Sequence, residues 1–207
     1  MEKDKSIYFL DLGCDDGLLT IQKSKFIGTN QVFGVEIVNE RAILAERKGI
    51  NVKVFDLNEK FEYEDNTFHA IHANQVIEHI YNVDNFMSEI YRILKPNGYA
   101  IISTENASSW CNIFASILGW QIFSLTNFSQ KKSGIGNPIS LHRDDGSGNI
   151  KSWNHIRIYN IKGLKEYFQI MGFKVEKIKG SGYFPLPAIF GDFDKIHCHF
   201  MTFKIRK

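Results

Sequence analysis

The chain of 207 residues lacks an excess of either charge: 25 Lys and Arg against 23 Asp and Glu leave a net charge of +2. It also lacks a basic tail or a basic stripe. Proteins that bind nucleic acid usually carry such a feature, because it neutralises phosphate groups. The charge pattern therefore predicts a partner other than nucleic acid.

Cysteine is scarce, and the three cysteines, Cys14, Cys111 and Cys198, lie far apart. They show none of the short spacings that are typical of zinc sites or redox pairs. An odd, scattered set predicts free thiols in a reducing compartment. Residues 1–5 are charged without a signal-peptide pattern, and no internal repeat is visible. With this length, the absences predict one cytoplasmic domain over residues 1–207, with a full hydrophobic core.

What the sequence does contain is a short apolar strand, residues 7–12, that runs into an acidic, glycine-bearing turn ending at Gly17. In open α/β sheets, ligands bind just beyond the carboxyl ends of strands, and glycine lets another molecule approach the backbone closely. The turn holds Asp15 and Asp16 but neither Lys nor Arg. This composition argues against a pyrophosphate ligand and favours a ligand with cationic parts.

Strands and helices alternate along most of the chain, which is typical of βαβ units in a parallel sheet. Two late strands without a helix between them predict an antiparallel pair. The predicted strands are residues 7–12, 31–37, 51–55, 68–73, 99–103, 173–178 and 198–205, and the predicted helices are residues 16–25, 39–48, 76–80, 83–94 and 161–171.

Residues 106–155 interrupt this alternation. Apolar residues at helical spacing over residues 110–118 predict an amphipathic helix that packs on the domain or a partner subunit, walls a substrate site, or contacts a membrane. Polar residues such as Asn112 and Ser116 interrupt the run of about 20 apolar residues that a membrane span needs, so no stable insertion is predicted. Residues 131–149, rich in Gly, Ser and Asn, predict a lid or binding loop.

Three acidic residues, Asp11, Glu36 and Asp56, are predicted to end three successive strands and so to lie at one edge of the sheet. A capping role explains any one of them, but not why all three end adjacent strands. Glu36 follows the turn by about 20 residues, the spacing of a ribose-binding carboxylate. A dinucleotide site needs G-x-G-x-x-G, yet Asp15 and Leu18 hold two of those glycine positions. A nucleoside that carries a cation fits better.

S-adenosylmethionine (SAM) is such a nucleoside, and the chain resembles the class I SAM-dependent methyltransferases. Five motifs carry the resemblance in the family's order: residues 11–17 resemble D-x-G-x-G-x-G, 33–36 the acidic motif after the second strand, 55–57 the third motif, 68–79 the fourth-strand motif, and 89–98 the E-x-x-R-x-L-K-P-G-G helix end. The resemblance implies an α/β fold, a Rossmann-like three-layer sandwich with a seven-stranded, mostly parallel sheet and an antiparallel last strand.

The resemblance also implies roles for the residues of the first motif. Gly13 and Gly17 let the cofactor approach, and Asp11 and Asp15 lie near its amino-acid end. Asp15 stands where the family has its middle glycine, so its carboxylate is expected to face the cofactor's ammonium group. Since the first strand begins close to residue 1, cover for the cofactor is expected from residues 106–149 or from a second copy in a homodimer.

For the later motifs, the resemblance assigns four more cofactor contacts. Glu36 binds the ribose hydroxyls, and Asp56 accepts a hydrogen bond from the adenine amino group. Leu57 packs near the base, and Asn74 lies near the methionine moiety. Residues 106–155 are expected to cover the methyl acceptor.

Methyl transfer to a hydroxyl or an amine releases a proton, so a base with a pKa near neutrality helps. His79, His142 and His155 are the candidates, although a structural role remains the alternative for each. His197 and His199 share a face of a predicted strand, but the sequence places no third ligand, and no metal site is predicted.

Residues 155–173 resemble the H-x-R stretch of small-molecule members, especially enzymes of sugar and polysaccharide biosynthesis. The sequence therefore predicts a SAM-dependent methyltransferase that modifies oxygen or nitrogen of a small molecule, with a sugar or glycan precursor favoured. The alternatives are a methyltransferase of protein or RNA, and a non-catalytic SAM-binding module.

Overall fold

A computed structural model describes residues 6–129, 131–140, 154–184 and 186–207. The strands are β1 Tyr8–Leu12, β2 Gln31–Val35, β3 Asn51–Lys53, β4 Phe68–Asn74, β5 Leu94–Glu105, β6 Lys174–Ser181 and β7 Phe200–Arg206. The helices are α1 Leu18–Ile27, α2 Asn39–Glu46, α3 Val83–Ile93, α4 Trp110–Ile117, α5 Ile161–Ile170 and α6 Phe190–Phe193, with 3₁₀ turns at Ile77–His79 and Phe123–Leu125.

The seven strands form one sheet in the spatial order β3-β2-β1-β4-β5-β7-β6. Neighbouring strands from β3 to β5 are parallel, whereas β7 runs antiparallel to both β5 and β6. The predicted α/β fold with an antiparallel last strand is confirmed. This strand lies inside the sheet rather than at its edge, because β7 inserts between β5 and β6.

Several element bounds differ from those predicted. The third strand ends at Lys53 rather than at residue 55, and residues 76–80 form a short 3₁₀ turn instead of a helix. The fifth strand begins at Leu94, directly after α3, and its pairing with β4 is irregular before Tyr99. Pro96 lies in this irregular part, where a residue without a backbone N–H does not interrupt a ladder.

Apolar side chains on the two faces of the sheet form two core layers, because successive residues of a strand point to opposite faces. One layer joins Leu10 and Leu12 of β1 to residues of α3 and α5, among them Phe86 and Phe168. The other layer joins the intervening Phe9 to residues near α1 and α2. Helices on both faces make the three layers and leave the carboxyl edge of β1–β4 as the place for a ligand.

The helix predicted over residues 110–118 forms as α4, but its apolar side faces outward. Phe114, Ile117 and Leu118 are exposed, whereas Asn112 is buried. Burial of Asn112 is tolerated because its side-chain amide donates hydrogen bonds to the carbonyl of Asn106 and the hydroxyl of Ser124. The prediction that this helix packs on the domain through its apolar stripe is therefore wrong. None of the described helices is long and apolar enough to cross a bilayer.

Candidate active site

The glycine turn after β1 is held against β2 by its own backbone. The amides of Gly13 and Cys14 both donate to the carbonyl oxygen of Val35, at 2.9 and 3.0 Å. A Cβ at Gly13 would come within 2.9 Å of a methyl group of Val76, and one at Gly17 within 2.5 Å of Ile50. Both glycines also have positive φ angles, 71° and 80°. Larger residues are therefore excluded at both positions on steric and conformational grounds.

Asp15, which stands where the family motif has a glycine, takes a backbone conformation that favours glycine. Its φ angle is 48°, in the left-handed region that Asp and Asn tolerate better than other non-glycine residues. Asp15 therefore fits this position of the turn at a modest conformational cost. Its carboxylate lies 3.2 Å from the guanidinium of Arg41 on α2, and both side chains are largely exposed, so the ion pair is weak and leaves the carboxylate accessible.

Glu36 follows β2 directly and joins two parts of the predicted cofactor site. One carboxylate oxygen accepts a hydrogen bond from the amide of Asp15 at 3.0 Å, and the other accepts from the amide of Val38 at 2.9 Å. A carboxylate can accept about four hydrogen bonds, so each oxygen keeps capacity for a ribose hydroxyl. Glu36 can therefore hold the glycine turn and a ribose at the same time.

The other predicted cofactor residues lie along the same edge. Asp56 lies three residues beyond β3 rather than at its end, and one of its carboxylate oxygens accepts from the amide and side chain of Asn58 at 2.9 and 2.8 Å. Leu57 is half-buried against the core. Asn74 ends β4 and accepts a hydrogen bond from Ser103 at 2.5 Å, which leaves its NH₂ group as a donor.

Asp11 differs from the other predicted site residues because it is buried inside β1. Its carboxylate accepts a hydrogen bond from Thr20 at 2.6 Å and lies 3.2 Å from the ammonium of Lys23 and 2.8 Å from Nδ1 of His72. Burial alone would raise the pKa of Asp11, but the hydrogen bond and charge of His72, with Lys23 and Thr20, outweigh it and lower the pKa. These partners link β1 to α1 and β4, and a contact of Asp11 with the cofactor stays a prediction.

Two of the predicted base candidates meet just beyond β4. The rings of His79 and His155 lie edge to face with centroids 4.8 Å apart. Nδ1 of His79 lies 3.0 Å from the carbonyl oxygen of Asn154, and Nδ1 of His155 lies 2.7 Å from that of Ser124. Because a carbonyl can only accept, both Nδ1 atoms carry a proton when they form these bonds. Nε2 is then the atom that can take up a proton.

Two buried carboxyl groups adjoin this histidine pair. Glu78 is fully buried and accepts a hydrogen bond from Thr104 at 3.0 Å, and a carboxylate oxygen of Glu105 lies 3.9 Å from Nδ1 of His155. Burial, together with the negative charge of Glu105, raises the pKa of Glu78 to about 8. Glu78 is therefore mostly protonated at neutral pH, and it can donate as well as accept a hydrogen bond.

Glu78 is a site residue that was not predicted from the sequence. In the structure, a carboxylate oxygen of Glu78 and one ring nitrogen each of His79 and His155 lie within 4.8 Å of one another. The position of Glu78 among apolar neighbours, with Ile77 on one side and Ile80 nearby, was the available signal for burial. Lys23 and His72 gave no such signal, because their contact with Asp11 depends on how α1 and β4 pack against β1.

The remaining histidines behave differently from the predictions. His142 lies outside the described residues, and its role stays a prediction. His197 and His199 do not share a strand face, because β7 begins only at Phe200. Instead, Nδ1 of His197 lies 2.8 Å from a carboxylate oxygen of Asp194, and its ring stacks on Trp110 at 4.4 Å between centroids.

The residues of this site lie within a region that matches a known protein family. The family described as a methyltransferase domain matches residues 1–178, which is most of the chain and includes the glycine turn, Glu36 and the histidine pair. The chain belongs to the methyltransferase domain family. Its fold is that of the class I SAM-dependent methyltransferases, and the cofactor of this methyltransferase is SAM. The sequence predictions of family, fold and cofactor are confirmed.

Sequence relatives include enzymes named for ubiquinone biosynthesis. The methyltransferase is 24% identical to a mitochondrial ubiquinone biosynthesis O-methyltransferase of Dictyostelium discoideum over 96% of this chain and 59% of the relative. It is 30% identical to the human protein of the same name over 56% of this chain and 33% of that protein. A sterol 4-C-methyltransferase of Caenorhabditis elegans is 29% identical over 49% of this chain and 32% of that protein. The chain thus spans less than two thirds of the length of these relatives.

Solved structures agree on the fold. A SAM-dependent methyltransferase of Methanosarcina mazei superposes with a TM-score of 0.66 at 18% identity and covers 99% of this chain and 93% of that chain. A phosphoethanolamine N-methyltransferase of Haemonchus contortus, in complex with SAM, gives a TM-score of 0.63 at 17% identity over 99% of this chain and 49% of that chain. At these identities the likeness concerns the fold alone.

Proposed function

We propose that the methyltransferase transfers the methyl group of SAM to an oxygen or nitrogen atom of a small molecule. One observation carries the proposal: the hydrogen bond from the Asp15 amide to Glu36 joins the glycine turn to the ribose-binding carboxylate. His79, one member of the histidine pair, follows the same β4 strand that supplies Asn74. A cofactor edge and a proton acceptor are thus neighbours in the fold.

The described residues provide polar contacts for each part of the cofactor. Glu36 accepts hydrogen bonds from the ribose hydroxyls. The second carboxylate oxygen of Asp56, which has no hydrogen bond to a described residue, accepts from the adenine amino group. The exposed carboxylate of Asp15 faces the ammonium group, at the cost of its weak pairing with Arg41. Gly13 and Gly17 keep this surface clear of side chains.

His79 is the better candidate for the base, because it is half-buried whereas His155 is buried. Bound SAM supplies an electrophilic methyl group on a sulfonium. The protein aligns the acceptor atom with that methyl group. As the new C–O bond forms, the C–S bond to the sulfonium breaks, the sulfur leaves as a neutral thioether, and Nε2 of His79 takes the proton that a hydroxyl acceptor loses. His155 packs against the ring of His79 and orients it.

The acceptor class has two candidates, each with its own support. The relatives named for ubiquinone biosynthesis favour a phenolic hydroxyl on a quinone-type ring. The stretch of residues 155–173, which supplies His155, favours the predicted sugar or glycan precursor. Both acceptors are small-molecule hydroxyls that lose a proton on methylation, and the phenol, as the stronger acid of the two, is the easier one for an imidazole to deprotonate.

Calorimetry with SAM, followed by transfer of a labelled methyl group, tests the proposal. We expect Glu36→Ala to weaken SAM binding by about 1–3 kcal/mol, because ribose hydroxyls lose their acceptor. Glu40→Ala removes an exposed carboxylate from α2 and serves as the matched control. An acceptor panel then contains a catechol and a nucleotide-linked sugar, and His79→Ala should lower the rate about 100-fold or more on the catechol without changing SAM affinity.

The possible outcomes separate the functional classes. Absence of SAM binding at millimolar concentration would contradict the cofactor site. SAM binding without turnover of any acceptor would favour a non-catalytic SAM-binding module. Turnover of a protein or RNA substrate in preference to both small molecules would support the other alternative from the sequence.

A further inference from the structure

The segment before β7 exposes more large apolar side chains than any other stretch of similar length among the described residues. It consists of residue 184 and residues 186–196. Six of its large apolar side chains are exposed, including Phe193 at 83%, Phe184 at 75% and Ile189 at 66%. The others are Leu186, Phe190 and Ile196. Scattered exposed apolar residues are ordinary, but a contiguous set marks an interaction surface.

Close backbone packing places this segment with its apolar side outward. Helix α6 packs on β6 through two glycines, and a Cβ at Gly180 would lie only 2.0 Å from the carbonyl oxygen of Gly191. With Gly191 as its buried residue, α6 has no large side chain on its inner face. Phe190 and Phe193, whose rings lie 6.4 Å apart between centroids, are consequently directed away from the sheet.

Cationic side chains border the apolar residues. A surface cavity of about 410 Å³ is lined by Ile189 and Phe193 together with Lys177, Lys179, Lys195 and Asp192. Lys179 pairs with Asp192, whereas Lys177 and Lys195 form no ion pair with a described residue. The border therefore carries an excess of positive charge beside the exposed aromatic and aliphatic groups.

We infer that this segment docks the methyltransferase on the surface of a bilayer that contains anionic phospholipids. Apolar side chains that enter the acyl boundary, beside lysines that meet headgroup phosphates, are the combination that binds proteins peripherally to membranes. Interfaces between proteins are depleted of lysine, which makes a second copy of the chain a poorer occupant. The docking does not require any helix to cross the bilayer.

The position of the segment gives the docking a consequence for the site. Asn106, the residue after β5, donates a hydrogen bond from its side chain to the carbonyl oxygen of Ile196 at 2.8 Å. Trp110 on α4 donates to the hydroxyl of Tyr183 at 2.8 Å. The segment therefore adjoins Asn106 at the carboxyl end of β5, where the residues that are predicted to cover the methyl acceptor begin.

Vesicle co-sedimentation tests the inference without any acceptor or cofactor, so its failure is independent of the proposed function. The full chain is mixed with vesicles of phosphatidylcholine alone, or of phosphatidylcholine with 30% phosphatidylglycerol, at 0.1 M salt. We expect binding to the anionic vesicles only, weakened by raising the salt to 0.5 M. Ile189→Ser with Phe193→Ser should weaken this binding at least about tenfold. Lys177→Gln with Lys195→Gln should also weaken binding to the anionic vesicles at least about tenfold, since each lysine contributes about fivefold.

Phe26→Ser is the matched control, because Phe26 on α1 is 89% exposed and lies outside the segment. It should bind like the unaltered chain. The inference would be overturned if the unaltered chain failed to bind anionic vesicles or bound both vesicle types equally. It would also be overturned if Phe26→Ser weakened binding as much as Ile189→Ser with Phe193→Ser does. A last contradicting result would come from sedimentation velocity: the unaltered chain is a dimer, and Phe193→Ser dissociates this dimer but leaves vesicle binding unchanged. The segment would then be an interface between copies of the chain.

Discussion

Replacement of Glu78 by Gln should remove a pH-dependent loss of stability. Glu78 is fully buried, and one of its carboxylate oxygens has no hydrogen bond to a described residue. Burial and the nearby Glu105 raise its pKa from 4.5 to about 8. In the folded chain the proton therefore stays on Glu78 over a range of pH in which the unfolded chain has released it. Gln keeps the size and polarity of the protonated group but cannot ionise.

The sign and size of the effect follow from proton linkage. Between pH 4.5 and about 8 the folded state binds more protons than the unfolded state, so the free energy of unfolding falls as pH rises. Each pKa unit is worth about 1.4 kcal/mol, so the total fall is at most about 5 kcal/mol. Below pH 4.5 and above about 8 the contribution of Glu78 to the pH dependence ends.

Urea denaturation at pH 5, 6, 7 and 8 measures this effect. We expect the Gln variant to gain stability relative to the unaltered chain by about 1 kcal/mol per pH unit across this range. Glu59→Gln, at an exposed position, should show no such trend. A difference between Glu78→Gln and the unaltered chain that stays constant from pH 5 to 8 would refute the reasoning, because it would mean that Glu78 ionises alike in the folded and unfolded states.

Two further predictions concern the first motif. Asp15→Val should lower the free energy of unfolding by about 1–2 kcal/mol, because a β-branched residue does not tolerate the φ angle of 48°. Asp15→Gly should change the free energy of unfolding by less than about 1 kcal/mol. Equal losses for the two variants in urea denaturation would show that the backbone angle is not the cause. Asp11→Asn should cost about 3 kcal/mol at pH 7, because it removes the buried negative charge beside the ammonium of Lys23 and disturbs the contacts of the carboxylate with Thr20 and His72. Unchanged thermal stability of this variant would mean that the buried network contributes nothing.

The fold was predictable because its determinants are local. Apolar runs of strand length, and Pro96 shortly after a helix with apolar residues at helical spacing, are visible in any short window of the sequence. The outward apolar side of α4 was not predictable, since it depends on hydrogen bonds that Asn112 forms with residues of the same insertion. Periodicity identifies the apolar face of a helix, but it does not determine whether the face is covered.

The candidate site likewise contains residues that the sequence predicts and residues that it does not. Glu36 and the glycines were found because their spacing along the chain is constrained by the turn after one strand and the length of the next. The surroundings of Glu78 and Asp11 were not found, because their partners, Thr104 and His72, come from strands that are distant in the sequence. A sequence gives the spacing of a motif, whereas the protonation state of its carboxyl groups depends on the packed structure.

The hydrogen bond from the Asp15 amide to Glu36 has a consequence for how a ligand is received. A glycine-bearing turn without such a bond would sample many conformations, and a ligand would have to pay the entropy of ordering it. Here the turn is fastened at two points, through Gly13 to Val35 and through Asp15 to Glu36, before any ligand arrives. Affinity is thus gained from preorganisation rather than from added contacts, and the amide protons of the turn should exchange slowly with solvent in the ligand-free protein.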